Sequence, residues 1–292
     1  MIPTMGLPIY LNYDQDELDA QYNNRVRFPE YVEHFKNWRV WSDQARNDLE
    51  VILDVPFGDD PLERLDIFPA ATASAPIYVF IHGGYWYSLD KADYSYVARG
   101  FRPHGIMTVV INHGLAPICQ MDEIVRHSRA ALAWLWRHAD HYGGDPNRIY
   151  VAGHSAGGHL AMMQLATKWG EFDSTLPPDV VKGVCTISGI FDLEPIRLSY
   201  LNEMLRLDIS EASRNSPLSL NYPVNTPMTM VVGGQESPEY QRQNEAMAAR
   251  WRALGFPLKW EKKSELNHFN LVNQLIDPRS DLVGSQVQSW AC

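Results

Sequence analysis

The sequence predicts an α/β fold, a mostly parallel central sheet with helices on both faces, and three observations predict it. Short apolar runs such as 77–81 and 107–111 are continuous rather than alternating, as in strands buried on both faces. These runs alternate along the chain with segments of helical period such as 122–138. The tract 149–165 reads strand, sharp turn, helix, with Gly153, Ser155 and Gly157 at the turn.

Residues 1–45 differ in texture from the rest. Tyr10, Tyr13, Tyr22, Phe28, Tyr31, Phe35, Trp38 and Trp41 are spread among polar residues, as in a peripheral arm wrapped onto a larger body, and 30–45 has helical spacing. Strands are expected at 51–55 and 65–68, an antiparallel pair divided by the turn-rich 56–61. The buried strand 77–81 ends in His82-Gly83-Gly84-Tyr85-Trp86. A helix at 92–102, a strand at 107–111 and a helix at 122–138 follow, the last stopped by Tyr142-Gly-Gly-Asp-Pro-Asn147. Later strands are expected at 180–188, 228–232 and 258–261, with helices at 239–254 and 282–290. The connection 191–224, with a helix at 199–206, is long enough to predict a lid. No repeat or linker divides the chain, so 1–292 is expected to be a single domain.

With 45 % hydrophobic and 21 % charged residues, the 292-residue chain has the composition of a globular protein with a sizeable core. A net charge of −10 without a basic stripe argues against a nucleic-acid partner. Cys119, Cys185 and Cys292 are too few and too scattered for a disulfide framework or a thiolate metal site. The N-terminal stretch lacks the basic start of a signal peptide and no run reaches membrane-spanning length, so a cytoplasmic setting is expected. The oligomeric state stays open, a homodimer included.

A serine at the apex of such a turn is held in a strained backbone, and a helix N-terminus behind it favours negative charge developing nearby. Its hydroxyl needs a base to attack a carbonyl, usually an imidazole held by a carboxylate. Loops past the carboxyl ends of parallel strands form the site in open α/β sheets, so base and acid should follow later strands. His268 follows the last strand and Glu236 the one before, giving the order Ser155, Glu236, His268. Asp192 and Glu239 are rivals for the acid; Glu236 is preferred because it lies nearest the strand end. Of ten histidines, His82, His154 and His159 flank the motifs and are expected to make structural hydrogen bonds. His138 and His141 lack a partner that would make a metal pair, and no metal or cofactor is expected. The N–H groups of Gly84, Tyr85 and Ala156 are the expected oxyanion donors. Tyr85, Trp86, Phe191, Tyr200 and Phe269 are candidates for an aromatic substrate pocket.

On these residues the chain resembles the α/β-hydrolases of the esterase/lipase and arylformamidase (kynurenine formamidase-like) group. His82-Gly-Gly-Tyr-Trp86 is similar to the His-Gly-Gly-x-Trp loop of arylformamidases, and Gly144-Asp-Pro-Asn-Arg-Ile149, Gly153-His-Ser-Ala-Gly-Gly158 and Asn267-His-Phe269 also fit. The resemblance spans about residues 50 to 280 and implies an α/β-hydrolase fold and a cofactor-free serine hydrolase. Two departures stand out. The acid is Glu236 where relatives usually have Asp, and His113 replaces a Tyr in Asn112-His113-Gly114-Leu-Ala-Pro117. The expected reaction is cleavage of a small-molecule carboxylic ester through an acyl-enzyme, with aryl amides beside it; arylformamidase activity is the alternative. A non-catalytic binding protein on the same fold and a membrane-surface lipase are the rival classes. Intact serine, acid and histidine positions disfavour the first, and the weak apolar alternation of 199–206 disfavours the second.

Overall fold

The structure, a computed structural model, describes residues 6–290; Cys292 and the start of the N-terminal stretch lie outside the described residues. Its framework is an eight-stranded sheet. The strands are β1 (Ile52–Pro56), β2 (Arg64–Phe68), β3 (Ala75–Ile81), β4 (Met107–Ile111), β5 (Gly144–His154), β6 (Val181–Ile187), β7 (Met228–Gly233) and β8 (Leu258–Lys263). Their spatial order is β1-β2-β4-β3-β5-β6-β7-β8. The strand β2 pairs antiparallel with β1 and β4, and all other neighbours are parallel. The carboxyl ends of β3, β5, β6, β7 and β8 therefore open on one rim, where loops can converge.

The continuous apolar runs fill two layers, as a strand's period of two requires. Ile77, Val79 and Ile81 of β3 face one core and Tyr78 and Phe80 the other. Fully burying each such side chain contributes about 1.5–3 kcal/mol. The main helices are α1 (Gln15–Tyr22), α2 (Tyr31–Asp48), α3 (Met121–His138), α4 (Ala156–Leu165), α5 (Pro238–Ala253) and α6 (Asp281–Trp290). Helix α3 carries Asp122 and Glu123 in its first turn and Arg137 and His138 in its last, complementing its dipole. Every residue of α4 is buried, which suits its apolar sequence and small glycines.

Two predicted helices take other forms. The segment 92–102 is a series of short turns rather than one helix. The Asp90 carboxylate accepts from Ala92 N–H while Asp93 reaches back to Asp90 N–H, closing a tight 3₁₀ turn at once. Pro103 then sits in a further 3₁₀ turn (Arg102–His104) at the far end. The expected helix 199–206 is a single turn (Asn202–Leu205) stopped by Arg206 at φ 55°, with Glu194–Leu198 and Ile209–Arg214 to either side.

The N-terminal arm packs against the rest of the chain through buried aromatics and hydrogen bonds. Helix α2 buries Trp38, Ser42 and Ala45, and α1 buries Leu18 and Tyr22. Tyr22 OH donates to Glu239 Oε2 at 3.2 Å, and Tyr10 OH to Asp192 Oδ2 at 3.0 Å. Gln243 Nε2 donates to the Tyr22 hydroxyl at 2.9 Å. The arm is thereby tied to α5 and to the start of the 191–224 connection.

Candidate active site

Ser155 stands between β5 and α4 with φ 57° and ψ −118°, a region that costs a non-glycine residue on the order of 1–3 kcal/mol. Its neighbours explain how the strain is held. A Cβ on Gly153 would lie 2.0 Å from the Gly157 carbonyl oxygen, and one on Gly157 would lie 2.0 Å from the Ile81 oxygen. Only glycine lets strand and helix close to this distance. Ser155 N–H donates to the Ile187 carbonyl at 2.8 Å, fixing the elbow to β6.

The loop after β3 lies directly on this elbow: a Cβ on Gly83 would sit 3.2 Å from Ser155 Cβ. Gly84, Tyr85 and Trp86 have φ of 106°, 50° and 59°, three consecutive left-handed residues. The Gly84 carbonyl is turned back to accept from Tyr87 N–H, Ser88 N–H and Ser88 Oγ. No acceptor among the described residues takes the N–H of Gly84, Tyr85 or Ala156. Trp86 anchors the loop from beneath. It is fully buried, its Nε1–H donates to His159 Nδ1 at 3.1 Å, and its carbonyl accepts from Ala116 N–H.

His268 follows β8 in a turn shaped by Asn267, whose Oδ1 accepts from the N–H of Phe269 and of Asn270. His268 Nδ1 lies 2.7 Å from Glu236 Oε2. Glu236 Oε1 accepts from Ser188 Oγ at 2.5 Å and from Gly233 N–H at 2.7 Å. Each oxygen of this buried carboxylate thus has a partner, the condition under which a buried charge is tolerable. Asp192 and Glu239 are engaged elsewhere. Both hold the arm, and Glu239 is also forked by Arg242. The His154 ring lies 4.7 Å from that of His268, with Nε2 on the His268 carbonyl at 2.8 Å. Burial, with the neighbouring His268, holds the His154 imidazole well below its ordinary pKa.

Ser155, His268, Gly84, Tyr85 and Phe269 line a common cavity. The rest of its wall comes from Asn24, Arg25, Phe35 and Trp38 of the arm, with Leu89, Tyr94 and His154. Three residues expected in the pocket are not part of this wall. Trp86 is packed under the loop. Phe191 is buried against Gly189, its ring filling the space a side chain there would need. Tyr200 faces the arm, its N–H on Asp19 Oδ1. The expected lid 191–224 supplies no lining residue; the arm does so instead.

Sequence reasoning passed over Tyr240. Its ring packs edge-on against His268 at 4.8 Å, and its hydroxyl donates to Tyr85 OH at 2.8 Å. Burial raises its pKa far above the ordinary phenol value. A signal existed: Tyr240 lies four residues beyond Glu236, in the first turn of α5. Ser188 and Asn24 carried none, since each gains its place only through the fold. Among the described residues no group of three or more His, Cys, Asp or Glu side chains could hold a metal ion, and no helix is long and apolar enough to cross a membrane.

Comparison with known proteins agrees with this architecture. The BD-FAE family model matches residues 65–230. Kynurenine formamidase of Danio rerio is 30 % identical over 276 residues, covering 90 % of this chain and 92 % of that protein. The Salmo salar kynurenine formamidase is 31 % identical with the same coverage. A solved structure from Silicibacter sp. tm1040, provisionally named a thioesterase, has a TM-score of 0.81 at 29 % identity, covering 92 % of this chain and 98 % of its own. An esterase of Pyrobaculum calidifontis has a TM-score of 0.69 at 19 % identity, covering 91 % and 92 %, and shares the fold.

Proposed function

This chain belongs to the BD-FAE family of α/β-hydrolases, related along most of its length to kynurenine formamidases, and from that premise we propose that it is a serine hydrolase of aryl formamides and small carboxylic esters. Ser155 Oγ attacks the acyl carbon while His268 Nε2 takes its proton. Glu236 holds His268 Nδ1–H and stabilises the imidazolium that forms. The tetrahedral oxyanion accepts from the N–H groups of Gly84, Tyr85 and Ala156, which carry no other acceptor and need no rearrangement as charge develops. His268 then returns the proton to the leaving nitrogen or oxygen. A water deprotonated by the same imidazole clears the acyl-enzyme and frees Ser155.

The observation that carries this reading is the 2.7 Å contact of His268 with a fully partnered Glu236, on the cavity wall that also holds the strained Ser155. Aryl formamides lead because the formamidase likeness covers 90 % of the chain and the aromatic Phe35, Trp38 and Phe269 surround the cavity. The aromatic walls suit a flat aryl substrate. Esters are the second substrate class, since the same steps apply and an alkoxide leaves more easily than an anilide. The chain acts as one catalytic domain with the arm as a pocket wall, in the cytoplasm, where the buried free thiols Cys119 and Cys185 stay reduced.

The test is turnover of N-formylkynurenine and of a p-nitrophenyl ester series, with fluorophosphonate labelling. Wild type should label at Ser155 and hydrolyse both classes, and Ser155→Ala should lose labelling and about 10⁴-fold or more in kcat. Full turnover by Ser155→Ala refutes the assignment.

A further inference from the structure

Asn24 is 2 % exposed, lines the cavity that contains Ser155, and has a side-chain carbonyl with no hydrogen-bond partner among the described residues. An unpaired buried acceptor costs on the order of 1–3 kcal/mol and is uncommon in folded proteins. Its orientation follows from its neighbours rather than from a choice of amide flip. Tyr85 OH lies 2.6 Å from the Tyr22 backbone carbonyl, which can only accept, so the Tyr85 proton is committed there. The Tyr85 oxygen therefore accepts, from Tyr240 OH at 2.8 Å and from Asn24 Nδ2 at 3.3 Å. Asn24 must present its NH₂ to that oxygen, and its Oδ1 is left facing away from it, unpaired. Asn24 and Ser155 thus share one cavity wall, with the Tyr85 and Tyr240 hydroxyls bonded to each other beside Asn24.

We propose that Asn24 Oδ1 accepts the scissile N–H of an amide substrate and makes the site selective for secondary aryl amides over esters. An ester has no donor to offer and leaves the acceptor unpaired, whereas an anilide N–H completes the network. The hydrogen bond also orients the reaction. With the N–H turned toward Asn24, the nitrogen lone pair of the tetrahedral intermediate is free to take the proton from His268, after which the C–N bond breaks. A site built to bond a substrate N–H discriminates strongly against analogues lacking it, because its own buried group is then stranded. This inference rests on the serine-hydrolase reading above and assigns it a substrate class.

The test is kcat/KM of full-length wild type and Asn24→Ala on formanilide, N-methylformanilide and phenyl formate. Wild type should prefer formanilide to its N-methyl analogue by about tenfold or more. In Asn24→Ala that preference should collapse and the formanilide-to-phenyl formate ratio should fall by a similar factor. Asn24→Asp, which keeps an acceptor, should retain more of the N–H preference than Asn24→Ala. Equal losses on formanilide and phenyl formate in Asn24→Ala would mean that Asn24 only props Tyr85, and would overturn the proposal. So would a wild type indifferent to N-methylation, a comparison that needs no variant to fold. Absence of turnover on all three substrates would instead defeat the serine-hydrolase reading itself.

Discussion

At the scale of single residues the site is a set of oriented polar atoms, and Glu236 is the residue whose role is most open to test. It accepts from Ser188 Oγ, Gly233 N–H and His268 Nδ1–H, while the other nearby carboxylates hold the arm. Glu236→Gln keeps the shape but offers an amide to the imidazole, favouring the wrong tautomer. A fall in kcat of about 10³-fold or more is expected, with KM little changed, by analogy with triad-acid amides in serine proteases. Glu239→Gln should instead loosen the arm, lowering the thermal midpoint more than the chemical rate. If steady-state kinetics gave the larger rate loss to Glu239→Gln, the acid would be misassigned. The candidate positions Ser155, Glu236 and His268 stand out in the sequence because each lies in the turn or loop beyond the carboxyl end of a strand. The structure brings His268 and Glu236 into contact, with Ser155 on the same cavity wall as His268. Asn24 does not stand out, because an asparagine opening a one-turn helix acquires meaning only from what lies across from it, and Tyr240 leaves only the faint trace of its place four residues beyond Glu236.

At the scale of elements, the arm takes the place expected of the lid. The 191–224 stretch reads as a lid on length alone, yet Phe191, Leu193, Ile196, Leu201, Leu205 and Leu207 are spent on the core. Length is a weak guide when a connection has its own apolar residues to bury. The spacing Tyr31, Phe35, Trp38 was visible, but a helical stripe does not say whether it faces a core or a cavity. Trp38 does both. It is 1 % exposed, packs on Phe35, Tyr94 and Phe269, donates from Nε1 to Asn273 Oδ1 at 2.6 Å, and lines the cavity. Trp38→Ala is expected to destabilise the fold by about 3–5 kcal/mol in urea unfolding. In the same protein the preference among p-nitrophenyl esters should move toward longer acyl chains. A stability loss with an unchanged chain-length profile would remove the arm from the substrate site.

For the whole molecule, the doubly covered parallel sheet was legible because a short, unbroken apolar run bounded by turns suits a strand covered on both faces, and its alternation with helices makes the sheet parallel. What no sequence pattern disclosed is how much of the interior is imidazole. His82, His113, His154 and His159 are all buried, and burial lowers the pKa of each. For His159 the value falls from 6.5 to about 4, burial being the largest cause and the Arg129 charge adding to it. Its surroundings require the neutral ring: Nδ1 accepts from Trp86 Nε1–H, so a proton there would face another donor, while Nε2–H serves the Asn215 carbonyl at 2.7 Å. Between about pH 6.5 and 4 the unfolded chain binds this proton and the folded one does not, so stability rises with pH across that window. The contribution is complete above the unfolded pKa and is lost as pH falls toward 4, on the order of 3 kcal/mol in all. Depressed carboxylates such as Asp90 and Asp122 act lower, losing their contribution below the ordinary carboxylate range. His159→Gln can still accept from Trp86 and donate to Asn215 but cannot take up the proton. Urea unfolding at about pH 7.5 and about pH 5 should therefore show a smaller acid loss in His159→Gln than in wild type, by about 2 kcal/mol. Equal losses in the two proteins would mean that the ring is protonated in the folded state near its ordinary pKa, and that the Trp86 loop over Ser155 does not depend on a neutral His159.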